Sequence, residues 1–283
     1  MSFCWSFQAL FLMFRKLFPS FKKRFFPLPP NPFPFFLSIR LIKLFLGGIG
    51  VLHFSFSFSS CCWKLTLIFL ICFFWWNSLS SNYLGGVYSF NFERFFRAGF
   101  MLFIISEVMF FFGFFWSFFH SCFNPTLFIG SSWPPSLFSR ITEDAFRLSN
   151  TIILLSSACS ITVAHNALIA RNLSIFSRFL VLSCLLGFVF VFLQRHEYIS
   201  SPLRVKSTVY STTFFLLTGF HGLHVSIGLI FLICNYFRFS QYGYRRKTHQ
   251  GLEFAIWYWH FVDVVWLFLY ICVYHYRGRL LLA

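Results

Sequence analysis

The stretch Ala98–Phe119, AGFMLFIISEVMFFFGFFWSFF, decides how the rest of the chain is read. It holds 22 residues and a single ionisable side chain, Glu107, near its middle. About 20 apolar residues are what an α-helix needs to cross ~30 Å of hydrocarbon, so the stretch predicts a transmembrane helix. A carboxyl group at that depth is costly, and by default it marks a functional group facing protein or water. On a helix, Phe103, Phe110, Phe111 and Phe114 share the face of Glu107. Such an aromatic shell would strip water from the carboxyl group and favour its uncharged form. The plainer alternative is a hydrogen bond from Glu107 to a neighbouring helix.

The composition extends this reading to the whole chain. Hydrophobic residues make up 58 % of the 283 and charged residues 11 %, against about 25 % charged in a soluble domain. The chain is therefore a polytopic membrane protein. Its net charge of +16 sits mostly in short segments flanking apolar runs, a placement that fits membrane orientation and anionic headgroups rather than nucleic acid. Nine cysteines are scattered without a C-x-x-C, so neither a disulfide framework nor a zinc site is indicated.

Residues 1–40 form a basic, Phe- and Pro-rich lead. Six of the ten prolines lie between Pro19 and Pro34, which argues against a regular helix there. Phe3–Phe14 is too short to span but suits an interfacial helix. The layout is not that of a signal or transit peptide, so insertion without a cleaved presequence is expected. Seven spans follow, near 41–58, 65–81, 98–119, 148–170, 173–194, 207–237 and 252–274. The first is the weakest, since it contains Lys43, His53 and three glycines. A polar connection runs over 121–147, with turn signals at Asn124-Pro125 and Trp133-Pro134-Pro135. The fourth span is rich in Ser, Thr and Ala, which lets helices approach closely. Fifteen Lys and Arg residues fall in the lead through Lys43, in loops 2, 4 and 6 and at Arg178 near the start of the fifth span, against eight in the other loops and the C-terminal tail. The positive-inside rule then puts the N-terminus on the negative side and the C-terminus opposite.

Polar groups inside the later spans are few. His221 and His224 lie one turn apart in the sixth, and His260 and Asp263 one turn apart in the seventh, with Glu253 seven residues before His260. His165 and Asn166 stand near the end of the fourth. Imidazole and carboxylate could ligate a metal, but two histidines with a glycine between them equally suit a tight helix crossing. The favoured reading is a bundle-facing polar stripe of Glu253, His260 and Asp263 with His221 and His224 as partners. A proton-coupled carrier built on Glu107 is a third possibility, although no acidic neighbour or broken helix accompanies it.

Four blocks carry a resemblance: GFMLFIISEVMFFFGFFWSFFHSCFNPT at 99–126 with WPP at 133–135, NTIILLSSACSITVAHNAL at 150–168, STTFFLLTGFHGLHVSIG at 211–228 and LEFAIWYWHFVDVVWLFLY at 252–270. In these the chain resembles subunit III of the haem–copper cytochrome c oxidases. The resemblance implies an all-α, polytopic membrane bundle of seven transmembrane helices, two plus five around a lipid-filled V-shaped cleft. The division would be a lead (1–40), a two-helix part (41–97) and a five-helix part (98–283). It implies no redox centre in this chain, with haem a, haem a3 and copper in partner subunits. It further implies packing against subunit I, association with subunit II and accessory subunits, bound phospholipid, and support of proton uptake during oxygen reduction. Glu107 matches the family's carbodiimide-reactive intramembrane glutamate. Trp75 and Trp76 resemble a Trp pair near bound lipid, and Arg238 a basic residue near a headgroup. His221, His224, Glu253, His260 and Asp263 would be structural, with no catalytic and no metal-binding residue. The chain departs from the family at Asn77, where arginine is common, and at Val163 and Asn166, where Trp and His are frequent. The absent presequence and the Phe bias favour the mitochondrial inner membrane, with the N-terminus on the matrix side.

Overall fold

The computed structural model describes residues 31–54, 58–84, 90–125, 133, 144–201, 205, 207–242 and 249–275. These contain seven long α-helices and no strand: α1 Phe33–Phe54, α2 Phe58–Leu84, α3 Phe90–Phe123, α4 Asp144–Ile169, α5 Leu173–Ser200, α6 Val209–Tyr242 and α7 Gln250–Leu269. The last runs on into a π-helical turn, Tyr270–His275. All but α2 are long and apolar enough to cross a membrane, and α2 holds a shorter apolar segment, Trp63–Leu79. The expected interfacial helix at Phe3–Phe14 and the Pro134-Pro135 turn signal lie outside the described residues.

Helix α1 starts at Phe33, upstream of the expected 41. Asn31 Oδ1 accepts from the Phe33 amide at 3.0 Å, and the Phe36 amide donates to the Pro32 carbonyl at 3.2 Å. Pro34 therefore falls in the first turn, where a helix needs no amide donor. The proline-rich lead thus ends at the cap instead of excluding the helix.

The chain divides into two compact units at the Phe96–Arg97 boundary. In the first, α1 and α2 pack together, and Gly47 leaves the space that the Lys64 side chain occupies. In the second, α4 and α5 form the closest pair, and α7 packs against both α4 and α6. The link between α4 and α5 is very short. The Asn172 amide donates to the Ala167 carbonyl and the Arg171 amide to Leu168, with Arg171 in the left-handed region at φ 62°. These two bonds close α4 in a Schellman cap. Asn172 Oδ1 then accepts from the Ile175 amide and opens α5.

The inward stripe of α4 reads Thr151, Leu154, Ser157, Ile161, Ala164 and Leu168, all buried, at the spacing of one helix face. Its small members admit the largest side chains of α7. Trp259 is fully buried. A Cβ at Gly187 of α5 would stand 2.6 Å from Trp259 Cη2, and one at Gly228 of α6 would stand 3.0 Å from Cε3. Between those two glycines, Trp259 Nε1 donates to Ser157 Oγ of α4 at 3.0 Å. Two turns along α7, Trp266 Nε1 donates to Thr151 Oγ1 at 3.1 Å.

Adding a methyl group at Gly187 must displace a rigid indole, whereas Gly113 on α3 faces open space. Gly187→Ala is therefore expected to lower stability by about 1–3 kcal/mol and Gly113→Ala to leave it nearly unchanged. Thermal unfolding of the purified protein measures both; equal midpoints for the two variants would refute the wedge.

Candidate functional site

The helix around Glu107 delivers its carboxyl group to α6. Glu107 Oε2 lies 2.9 Å from His224 Nε2, and His224 Nδ1 lies 2.7 Å from the Phe220 carbonyl oxygen. A carbonyl only accepts, so Nδ1 carries a proton and donates it there. The Nε2–Oε2 contact then holds one further proton between an imidazole and a carboxyl group. Whether written as carboxylic acid with imidazole or carboxylate with imidazolium, the pair is neutral overall. Rings of Phe111 and Phe110 stand 5.0 Å and 6.1 Å from the imidazole, and Tyr258 stacks at 6.4 Å. The aromatic shell exists, but at its centre stands a histidine on another helix. One turn from Glu107 an apolar groove of about 370 Å³ opens between α3 and α6, lined by Phe110, Gly113, Phe114, Ser117, Thr213 and Leu216.

The other polar residues of α6 and α7 have separate partners. His221 is fully buried between the Phe190 and Trp266 rings, and its Nε2–H donates to the Val262 carbonyl at 3.2 Å. His260 Nδ1 is 3.8 Å from Asp263 Oδ2, and its Nε2 is 3.5 Å from Thr162 Oγ1 of α4. Asp263 is buried, with neither carboxyl oxygen hydrogen-bonded among the described residues. His221, His224, His260 and Asp263 thus do not converge as ligands; among the described residues the group that does is His165, His249 and Glu253.

Glu253 belongs to a cluster at one end of the second unit. The His249 carbonyl accepts from the Leu252 and Glu253 amides and so starts α7. This places His249 Nε2 3.3 Å from Glu253 Oε1, while Arg97 at the start of the unit holds Oε2 at 3.0 Å. His165, just before the last turn of α4, brings its ring to 5.5 Å from that of His249. Arg238 is half-buried, and its guanidinium lies 3.4 Å from the Cβ position of Gly251 beside this cluster. The stripe expected of Glu253 with His260 and Asp263 is therefore split: Glu253 pairs with Arg97 and His249.

At the opposite ends of the helices, Arg147 Nε of α4 lies 3.4 Å from Glu197 Oε1 of α5, both buried. Tyr274, on the π-helical turn, donates to Glu197 Oε2 at 3.4 Å and stacks under the Arg147 guanidinium at 4.8 Å. On α2, Trp75 is half-buried and Trp76 exposed.

These helices and their paired acids can be set beside known proteins. A family model described as cytochrome c oxidase subunit III matches residues 23–278. The chain belongs to the cytochrome c oxidase subunit III family. Among curated members, the subunit 3 of Triticum aestivum is 42 % identical over 252 residues, covering 88 % of this chain and 95 % of that one. That of Chondrus crispus is 39 % identical over 258 residues, with 88 % and 92 % covered. That of Prototheca wickerhamii is 37 % identical over 262 residues, with 91 % and 99 % covered. Subunit III membership makes the chain a multi-pass membrane component of the oxidase complex.

Sequence reasoning singled out Glu107 and the α6–α7 histidines but missed Arg97, His249, Arg147, Glu197 and Tyr274. The usable signal was scarcity. With only seven acidic residues in the chain, each one inside a span needs a cation or a proton.

Two measurements check these pairs. A double-variant cycle of Glu107→Leu and His224→Phe should give a stability coupling of about 1.5–3 kcal/mol, the range of hydrogen bonds to charged groups; additive losses would show that the contact does not form. Arg147→Met should cost about 3–5 kcal/mol by stranding Glu197. Arg147→Met combined with Glu197→Met should recover most of that loss in the thermal unfolding of the purified protein.

Proposed function

We propose that this chain is a non-catalytic core subunit of cytochrome c oxidase, supporting the proton-pumping transfer of electrons from cytochrome c to oxygen. Haem a, haem a3 and copper reside in the partner subunits. The chain packs chiefly against subunit I, with subunit II and accessory subunits as further neighbours. Residues 41–97 act as a two-helix part and 98–283 as a five-helix part, and the chain binds phospholipid. Trp75 and Trp76 lie near bound lipid, Arg238 lies near a headgroup, and His221, Glu253, His260 and Asp263 serve the internal polar structure. The location is the mitochondrial inner membrane, with the N-terminus on the matrix side and the C-terminus on the intermembrane-space side.

The observation that carries this reading is the family match along 23–278 taken with the engagement of Glu107 by His224 at 2.9 Å. A neutral acid–imidazole pair beside an apolar groove suits a group that stabilises two helices next to an acyl chain. A carboxylate that binds and turns over a polar substrate would instead need an open polar site.

The test is native purification. The tagged chain, solubilised in mild detergent, is expected to co-migrate with haem a absorbance and oxygen-reducing activity; migration free of haem a would overturn the proposal. Glu107→Gln is expected to leave assembly intact and abolish carbodiimide labelling of the chain. Complete loss of oxygen reduction in that variant would contradict the supporting role.

A further inference from the structure

We propose that His165, His249 and Glu253 form a binding site for a divalent ion of the zinc class. Three side chains from two helix ends meet here: His165 from just before the last turn of α4, His249 from the residue before α7, and Glu253 from the first turn of α7. One ligand atom from each lies within 4.8 Å of the other two. Two imidazole nitrogens and one carboxylate oxygen are the donor set that zinc takes, with a water completing the tetrahedron. In such a site the ligand atoms stand about 3.4 Å apart, the edge of a tetrahedron with ~2.1 Å bonds. His249 Nε2 and Glu253 Oε1 are already at 3.3 Å, so the closure that remains is that of His165, whose ligand atom lies within 4.8 Å of both.

The neighbours favour the same occupant. His165 Nε2 is buried with no hydrogen-bond partner among the described residues, an orphaned ring nitrogen whose lone pair a metal would satisfy. Arg97 bonds the far oxygen, Oε2, and so turns Oε1 toward the histidines without occupying it. The arrangement of a ligating carboxylate held by an outer hydrogen bond is the usual support of a metal ligand. The ion would join the end of α4 to the start of α7, where the His165 and His249 rings already pack at 5.5 Å.

This inference is independent of which oxidase subunits surround the chain, and the purified complex carrying the chain serves as the sample. After chelator dialysis, zinc chloride is titrated against a chromophoric indicator and bound equivalents are counted. The wild-type complex is expected to take up one equivalent that His165→Ala loses or binds at least about tenfold more weakly. His249→Ala and Glu253→Gln should show the same deficit, while Asn166→Ala retains the equivalent. Should His249→Ala or Glu253→Gln fail to assemble, His165→Ala carries the test, because no hydrogen bond of the described residues depends on its Nε2. Zinc-edge absorption of the wild type should further show nitrogen- and oxygen-type ligands that change in the His165 variant. Equal equivalents and affinities in wild type and His165→Ala, or no zinc uptake by the wild type, would overturn the proposal.

Discussion

The second unit depends on the seating of one indole. Trp259 enters a slot that exists only because Gly187 and Gly228 lack side chains, and its single polar atom is met by Ser157. Helix α7 is thereby fixed against α4, α5 and α6 at one point. In a membrane, lipid tails solvate apolar side chains as well as protein does, so helices gain little by simply hiding leucines from the solvent. Close approach and matched polar atoms must supply the preference. The glycine slot, the Ser160–Ser183 contact at 2.6 Å and the Trp266–Thr151 bond are all of that kind.

The same economy governs the charges. Glu107 meets His224, Glu253 meets Arg97 and His249, and Glu197 meets Arg147 and Tyr274. Each bond joins two helices or the two ends of one turn, so neutralising a charge and locating a helix are the same event. Helix α3 illustrates the balance. It buries few of its residues, Phe111 and Phe118 among them, and its anchorage relies on Arg97 and Glu107 at two depths together with ring contacts such as Phe100–Phe254 at 4.5 Å. A helix with so little buried surface is held by polar partners at fixed heights.

The sequence disclosed the helices far better than their partners. Apolar runs set the number of spans, and the stretch around Glu107 lies wholly inside α3. Pro34 misled the start of α1 because a proline that breaks a helix interior is harmless in its first turn. The pairing of Arg147 with Glu197 was hidden by boundaries. Reading Arg147 as the end of a loop and stopping the fifth span at 194 put both residues outside the bundle; α4 begins at Asp144 and α5 continues to Ser200, which brings them face to face. The Glu107–His224 contact was hidden differently. Its partners are 117 residues apart, and hydropathy carries no information on the register between two helices. The resemblance named Glu107 and His224 separately, one as an intramembrane carboxyl group and the other as structural, and did not pair them.

The tight link between α4 and α5 bears on how the chain enters a bilayer. With Arg171 in the left-handed region and Asn172 both ending one helix and beginning the next, the two segments are tethered as antiparallel neighbours once both are synthesised. Arg147 and Glu197 then sit at the open end of that hairpin and can neutralise each other before α6 or α7 has arrived. Taken singly, either helix would carry a naked charge into hydrocarbon. Delivered as a pair, they present a wedge in which these two charges cancel and whose serines already face one another across the seam. The order of synthesis thus does part of the assembly, and the later helices dock onto a surface already formed.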